Sequence, residues 1–162
     1  MTANELILPA EAIAIVVADV TRFGALSVET GGFLLAARED DAIAMVARAG
    51  SAGIVRRPDL FQVSDLALDR LFGYADEHDL WIPVQFHSHG LAAFMSPTDV
   101  EHGLCVEGFV STIVPFFAAP PTDPSQWGWW RYEEAWTPIA PPGASTAPVA
   151  AITFDEDDVH GP

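Results

Sequence analysis

Leu80-Trp81-Ile82-Pro83-Val84-Gln85-Phe86-His87-Ser88-His89, followed after six residues by Ser96-Pro97-Thr98-Asp99, is the stretch that decides how this 162-residue chain reads. Residues 80–87 are rich in β-branched and aromatic types and follow a helical pattern, so they form a strand that runs into the histidines. Residues i and i+2 of a strand share a face, so His87 and His89 direct their imidazoles to one point while Ser88 turns away. Ser96-Pro97-Thr98-Asp99 has the form of a helix start: Ser as N-cap, Pro at the first helical position, and a carboxylate at N3 facing the positive end of the dipole. Alone it would be a capping box and no more. Five histidines in 162 residues give about 0.15 His-x-His pairs by chance, and adding the Ser and Asp offsets lowers this to on the order of one in a thousand. Zinc sites that do chemistry take three protein ligands and leave a fourth position open, a count that His87, His89 and Asp99 supply.

Fifty-eight positions before His87 stands Glu29, in Val28-Glu29-Thr30-Gly31-Gly32-Phe33-Leu34-Leu35. It is the natural carboxylate for moving protons beside such a metal. Ahead of it, Pro9 opens a helix whose Ile13, Val16, Val17 and Val20 form one apolar stripe. Residues 32–37 read as a buried strand and residues 42–47 as its hairpin neighbour, with a loop over Gly50–Pro58. Ser64 caps a helix to about Glu77 with Leu68, Leu71, Phe72 and Ala75 on one face. Strands follow over Phe109–Ala118 and Trp127–Tyr132. The elements make an α/β (α+β) fold, a mixed β-sheet flanked by helices, spanning residues 1–139. Residues 140–162 turn to Pro, Ala, Ser and Thr and end in Asp155-Glu156-Asp157-Asp158, the composition of a disordered acidic tail.

Half of the chain is hydrophobic, enough for one core. Seven arginines and no lysine against 23 acids give a formal charge of −16, which argues against nucleic acid and anionic membrane as partners. The run Ala12–Ala18 is too short for a membrane span and lacks a basic leader. The single cysteine, Cys105, has no partner for a disulfide; it reads as a small buried hydrophobe, and a reducing cytoplasm is the expected compartment. His78 reads as a solvated helix end. Trp127, Trp129, Trp130, Tyr132 and Trp136 read as core and edge-strand packing, with a groove for an extended substrate tail as the alternative.

Glu29, His87-Ser88-His89, and Ser96 with Asp99, in this order, resemble the JAMM metalloproteases of the JAB/MPN domain family over roughly residues 5–136. The resemblance implies an MPN-type fold and Zn2+ held by His87, His89 and Asp99. Glu29 would be the general base and Ser96 an oxyanion donor. It further implies hydrolysis of a peptide or isopeptide bond at the C-terminus of a ubiquitin-like or sulfur-carrier protein, by an enzyme that works alone or in a homo- or hetero-oligomer. The Ala-rich, Arg-only composition fits a GC-rich bacterial genome. Two features depart from the family pattern: six residues rather than seven separate His89 from Ser96, and Gly90 replaces a frequent proline. If the shorter loop rotated the helix, His102 would be the alternative ligand. A non-catalytic MPN-type scaffold or binding module is the alternative reading, against which stands the complete set of motif residues.

Overall fold

The motif strand sits at the centre of the molecule. In a computed structural model that describes residues 5–161, an eight-stranded mixed sheet is built around β6 (Leu80–Ser88). The other elements, in chain order, are β1 (Ile7–Pro9), α1 (Ala10–Gly24), β2 (Gly31–Ala37), β3 (Ile43–Ala49), β4 (Ile54–Arg57), β5 (Leu60–Val63) and α2 (Asp65–Glu77). After β6 come α3 (Pro97–His102), β7 (Val110–Val114), β8 (Gly128–Glu133), β9 (Ala135–Pro138), β10 (Gly143–Ser145), β11 (Ala150–Phe154) and β12 (Val159–His160). The order across the large sheet is β12-β11-β3-β2-β6-β7-β8-β9. β6 pairs antiparallel with β2 and parallel with β7.

The alternation of β2 and β6 divides the core in two. Leu34, Ala36, Val84 and Phe86 face α1, whose Ala12, Val16 and Val20 are buried against them; Ile13 and Val17 of the expected stripe lie at its margin. Phe33 and Leu35 face the other way, onto Ala67, Leu71 and Ala75 of α2. Phe72 of α2 points outward and is 42% exposed. Ser64 caps α2 as its sequence requires, its side chain accepting from the Ala67 N–H. His78 closes the helix in the open, stacked on Tyr74. Trp127 and Trp129 are buried in the α1-side core.

Three expectations are overturned. The segment 50–58 is not all loop: β4 and β5 form a hairpin, Arg57 opposite Leu60, turning on Pro58-Asp59. Cys105 is exposed rather than buried. Residues 140–161 are no disordered tail. β10 pairs with β1, and β11 adds to the main sheet parallel to β3, with Ile152 beside Ala47 and both Ile152 and Phe154 buried. The acidic run is turn chemistry: the Asp155 carboxylate accepts from the N–H groups of Ser51, Asp157 and Asp158, and Glu156 accepts from the Ser64 hydroxyl. Acids bonded in this way stay with the domain instead of repelling one another away from it. Among the described residues no helix is long and apolar enough to cross a membrane.

Candidate metal centre

The β2–β6 pairing brings residues 58 positions apart into contact. Gly31 lies opposite His87, and one step further the Ser88 N–H donates to the Thr30 carbonyl at 2.9 Å while the Thr30 N–H donates to Ser88 Oγ at 2.9 Å. That lock places Glu29 across from His89. Alternation then sends Glu29, His87 and His89 to the α2 side of the sheet and Thr30 and Ser88 to the α1 side. The Glu29 N–H is held by the Arg57 carbonyl of the β4–β5 hairpin, 2.9 Å away. Gly31 is required on the site face, because a Cβ there would meet the Phe86 carbonyl oxygen at 2.4 Å and the Phe61 ring of the same hairpin at 2.6 Å.

Asp99 arrives from the other side. Ser96 caps α3 in a complete capping box: its Oγ accepts from the Asp99 N–H at 3.1 Å, and its own N–H donates to Asp99 Oδ2 at 3.0 Å. Among the described residues nothing accepts from the Ser96 hydroxyl. Asp99 Oδ1 lies 3.1 Å from His87 Nε2, Asp99 Oδ2 lies 3.1 Å from His89 Nε2, and the two Nε2 atoms are 3.3 Å apart. The six-residue loop therefore delivers Asp99 to both imidazoles, with the Phe94 ring edge-on to His89 at 5.1 Å. His102, the alternative, sits exposed at the end of α3 and does not join the His pair.

These separations fit a metal. Ligands at ~2.0–2.1 Å from a tetrahedral zinc ion stand about 3.3 Å from each other, close to the 3.1–3.3 Å found between the donor atoms of His87, His89 and Asp99. The Ala92 carbonyl, which only accepts, lies 3.3 Å from His89 Nδ1 and so holds a proton there, which leaves Nε2 to offer a lone pair to an ion once the proton it shares with Asp99 is lost. Donor atoms of Glu29, His87 and His89 also lie within 4.8 Å of one another, so distance alone allows either carboxylate to complete a three-ligand set.

Electrostatics separate the two carboxylates. For Asp99, burial would raise the pKa, but hydrogen bonds from His87 and His89 and the Ser96 N–H outweigh it and hold the group far below the usual carboxylate range. Glu29 is 5% exposed, and burial pushes it up to about 8, with the charges of Asp99 and Asp59 adding to the rise and His89 opposing it. His89 is lowered by burial and raised by more through its Asp99 hydrogen bond and the Glu29 charge, for a net rise. Two carboxylates driven in opposite directions is the pattern of an anchored anion beside a proton carrier.

Several supporting residues carry no motif. Arg56 of β4 donates from Nε to Thr30 Oγ1 at 3.0 Å and from its two other nitrogens to the carbonyls of Ala49 and Gly50, with its guanidinium 3.9 Å from the Phe23 ring centroid. Asp19 of α1 is buried within the field of this guanidinium; burial lifts its carboxyl to about 6 against the charges of Arg56, Arg48 and Arg22, and its Oδ2 has no hydrogen-bond partner among the described residues. The group sits on the α1 side of the sheet, behind the strand end that carries Glu29. A carboxylate one helical turn from Val16 and next to Val20, in an otherwise apolar face, is the one sequence signal that points to it. Beside the centre, a cleft of about 480 Å3 runs between the β4–β5 hairpin and the start of α2. It shares Phe61, Gln85 and His102 with a slot of about 30 Å3 against His87 and Asp99.

No family model and no curated protein matches the chain. Solved structures do. The solution structure of a protein from Desulfitobacterium hafniense is 14% identical, covers 88% of this chain and 94% of its own, and superposes with a TM-score of 0.67. The crystal structure of a JAB1/MPN domain protein from Archaeoglobus fulgidus is 11% identical over 87% of this chain and 98% of its own, TM-score 0.52. A Salinibacter ruber protein solved in solution is 23% identical over 80% and 88%, TM-score 0.50. At these identities the likeness is one of architecture, and the architecture is MPN-like: a mixed sheet flanked by helices, with a His-His-Glu group gathered at its centre.

Proposed function

We propose that the chain is a JAMM-type zinc hydrolase that cleaves a peptide or isopeptide bond at the C-terminus of a ubiquitin-like or sulfur-carrier protein. The observation that carries the reading is the convergence of His87 Nε2, His89 Nε2 and the Asp99 carboxylate within 3.1–3.3 Å, with the Glu29 carboxyl on the same face of the sheet. His87, His89 and Asp99 would hold the zinc, which would supply Lewis acidity and lower the pKa of water to ~7.

The remaining work falls to this chain's own side chains. Glu29 accepts a proton at its carboxylate and returns it to the leaving amine, a role worth ~10²- to 10⁴-fold in rate. In the metal-free site burial lifts the Glu29 carboxyl to about 8, and the charge of a bound cation would draw it back down, so that it could accept a proton near neutrality. The Ser96 hydroxyl, from which nothing among the described residues accepts, is the donor toward a developing oxyanion, worth roughly 10²- to 10³-fold. Both imidazoles are nearly fully buried, which strengthens the charge interactions at the centre. The cleft beside the hairpin gives an extended chain a path to the centre. The ubiquitin-like substrate class rests on the resemblance of the motif; nothing in the cleft selects one modifier.

The test joins metal content to turnover. Purified chain is expected to hold one zinc per molecule and to cleave a ubiquitin-like fusion, and His87→Ala to lose both. Zinc retained in His87→Ala, or a fully loaded chain that leaves every fusion and peptide intact, would overturn the proposal, the second result in favour of a non-catalytic MPN-type module.

A further inference from the structure

Glu29 stands just ahead of β2 rather than within it, and its carboxylate makes no hydrogen bond to a described residue. The backbone on either side must therefore set where that carboxylate lies. The Ser88 pairing ties Thr30 to β6, with the Thr30 N–H donating to Ser88 Oγ at 2.9 Å. Two further bonds tie the segment to the β4–β5 hairpin: the Glu29 N–H donates to the Arg57 carbonyl at 2.9 Å, and Thr30 Oγ1 accepts from Arg56 Nε at 3.0 Å.

The hairpin is a separate two-stranded sheet, and two strands alone are marginally stable. It can hold Glu29 only as firmly as it is itself fastened. Arg56 does the fastening. While Nε reaches Thr30, its other two nitrogens donate to the carbonyls of Ala49 and Gly50 at the end of β3, and the guanidinium lies 3.9 Å from the centroid of the Phe23 ring in the last turn of α1. Among the described residues it is the one hairpin side chain with hydrogen bonds both to the end of β3 and to the segment that carries Glu29. The planar fork of an arginine meets three acceptors at once; a lysine ammonium on a flexible stem does not. Arg56 thus acts on Glu29 from both directions, through Thr30 on one side and through its own neighbour Arg57 on the other.

The metal ligands are mounted differently. The His89 N–H is held by the Val114 carbonyl, His87 lies opposite Ile113 and Gly31 in the sheet, and Asp99 is fixed by its capping box. None of the three makes a hydrogen bond to Arg56, whose side chain works on the α1 side of the sheet.

We propose that Arg56 is a positioning residue for proton transfer: clamped to the end of β3 and to Phe23, it holds Thr30 and the Arg57 carbonyl so that the Glu29 carboxyl stands at a fixed place beside His87 and His89. The inference rests on the peptide-hydrolase reading and adds to it a residue outside the motif. A general base must lie within about 3 Å of the proton it takes, and a displacement of about 1 Å costs on the order of 10²-fold in rate.

The experiment compares wild type with Arg56→Lys and with Thr30→Val, which removes the acceptor and leaves the arginine in place. In the metal-free chains, hydrogen exchange of the Glu29 amide is expected to quicken at least about tenfold in Arg56→Lys, while the His89 amide keeps its wild-type rate. In the zinc-loaded chains, both variants are expected to hold one zinc and to lose ~10- to 10²-fold in kcat on a ubiquitin-like fusion, with KM within about twofold. Thr30→Ser, which keeps the hydroxyl, is expected to recover most of the rate lost in Thr30→Val. In a Glu29→Gln background Arg56→Lys is expected to lower the residual turnover by under about twofold, because both changes act on one step. Unchanged Glu29 exchange, equal quickening at His89, loss of zinc, a change confined to KM, no recovery in Thr30→Ser, or an undiminished effect in the Glu29→Gln background overturns the proposal. A wild type that hydrolyses nothing removes the enzyme and the proton-transfer role with it. An active wild type matched in kcat by Arg56→Lys and Thr30→Val removes the role of Arg56 alone.

Discussion

Replacing Glu29 by glutamine separates proton transfer from metal binding and from folding in one variant. The shape of the site is kept and the titration is removed. In the metal-free chain the Glu29 pKa rises from its ordinary 4.5 to about 8, chiefly through burial. A raised pKa means the folded state favours the protonated form: its stability is present in full below pH 4.5 and is lost as pH climbs through 8. Each unit between the two is ~1.4 kcal/mol, so the wild type gives up about 3 kcal/mol by pH 7 and about 4 by pH 8, against under 1 at pH 5. These are upper values, since relaxation and water entry relieve a buried charge. The substituted amide does not titrate. Metal-free Glu29→Gln is expected to melt above wild type by roughly 6–12 °C at pH 7, with the gap narrowing at pH 5 and widening at pH 8. The same variant is expected to keep one zinc and to lose ~10²- to 10⁴-fold in turnover of a ubiquitin-like fusion. Calorimetry against pH and zinc analysis read the two halves independently. A melting difference that is flat with pH, or negative, would refute the burial argument; loss of zinc would make Glu29 a ligand and leave the general base unassigned.

Other outcomes follow from the same geometry. Zinc affinity is expected to increase with pH through the raised pKa of His89, because the ion and a proton compete for Nε2; competition titrations at pH 6 and 8 should show tighter binding at 8, and equal affinity would contradict the assignment. Asp19→Asn removes a carboxyl lifted from 3.8 to about 6, worth about 3 kcal/mol at most, so the variant should gain stability relative to wild type as pH passes from 4 to 7; a pH-independent difference in urea midpoint would show that Arg56 already neutralises it. Ile152→Ala empties a fully buried position in β11 and should cost about 2–5 kcal/mol in urea unfolding, whereas a disordered tail would feel nothing.

How much of this is legible in the sequence depends on whether the signal is local. The spacing of His87 and His89 fixes their common face because side chains alternate along a strand, and the capping box at Ser96 fixes where Asp99 points; both readings need only a few consecutive residues. Glu29 lies 58 positions away, and only the resemblance joins it to the histidines; the β2–β6 register supplies the physical reason. The β4–β5 hairpin does have a local signal, Ile54-Val55 and Leu60-Phe61 flanking Pro58-Asp59 at the turn, but apolar runs of two residues are too short to mark strands against the surrounding Gly, Ser and Arg. β11 is hidden because Ala150-Ala151-Ile152-Thr153-Phe154 is short and lies between proline-rich and acidic stretches; its two large apolar residues find their place only against β3, a hundred residues earlier. The Asp19–Arg56–Thr30 group depends on three or more elements meeting, which no local pattern encodes.

The position of β11 bears on how the protein is made. Until the ribosome has delivered residue 154, β3 has a bare row of amide and carbonyl groups along one side, an adhesive edge for any other extended chain. The N-terminal two thirds, with both histidines and Asp99, can emerge from the exit tunnel before that edge is covered. Pairing of high sequence separation is slow, so the nascent chain passes through an aggregation-prone interval that closes only when β11 arrives. Yield on expression should therefore respond more sharply to changes in residues 150–154 than to changes at the metal ligands themselves.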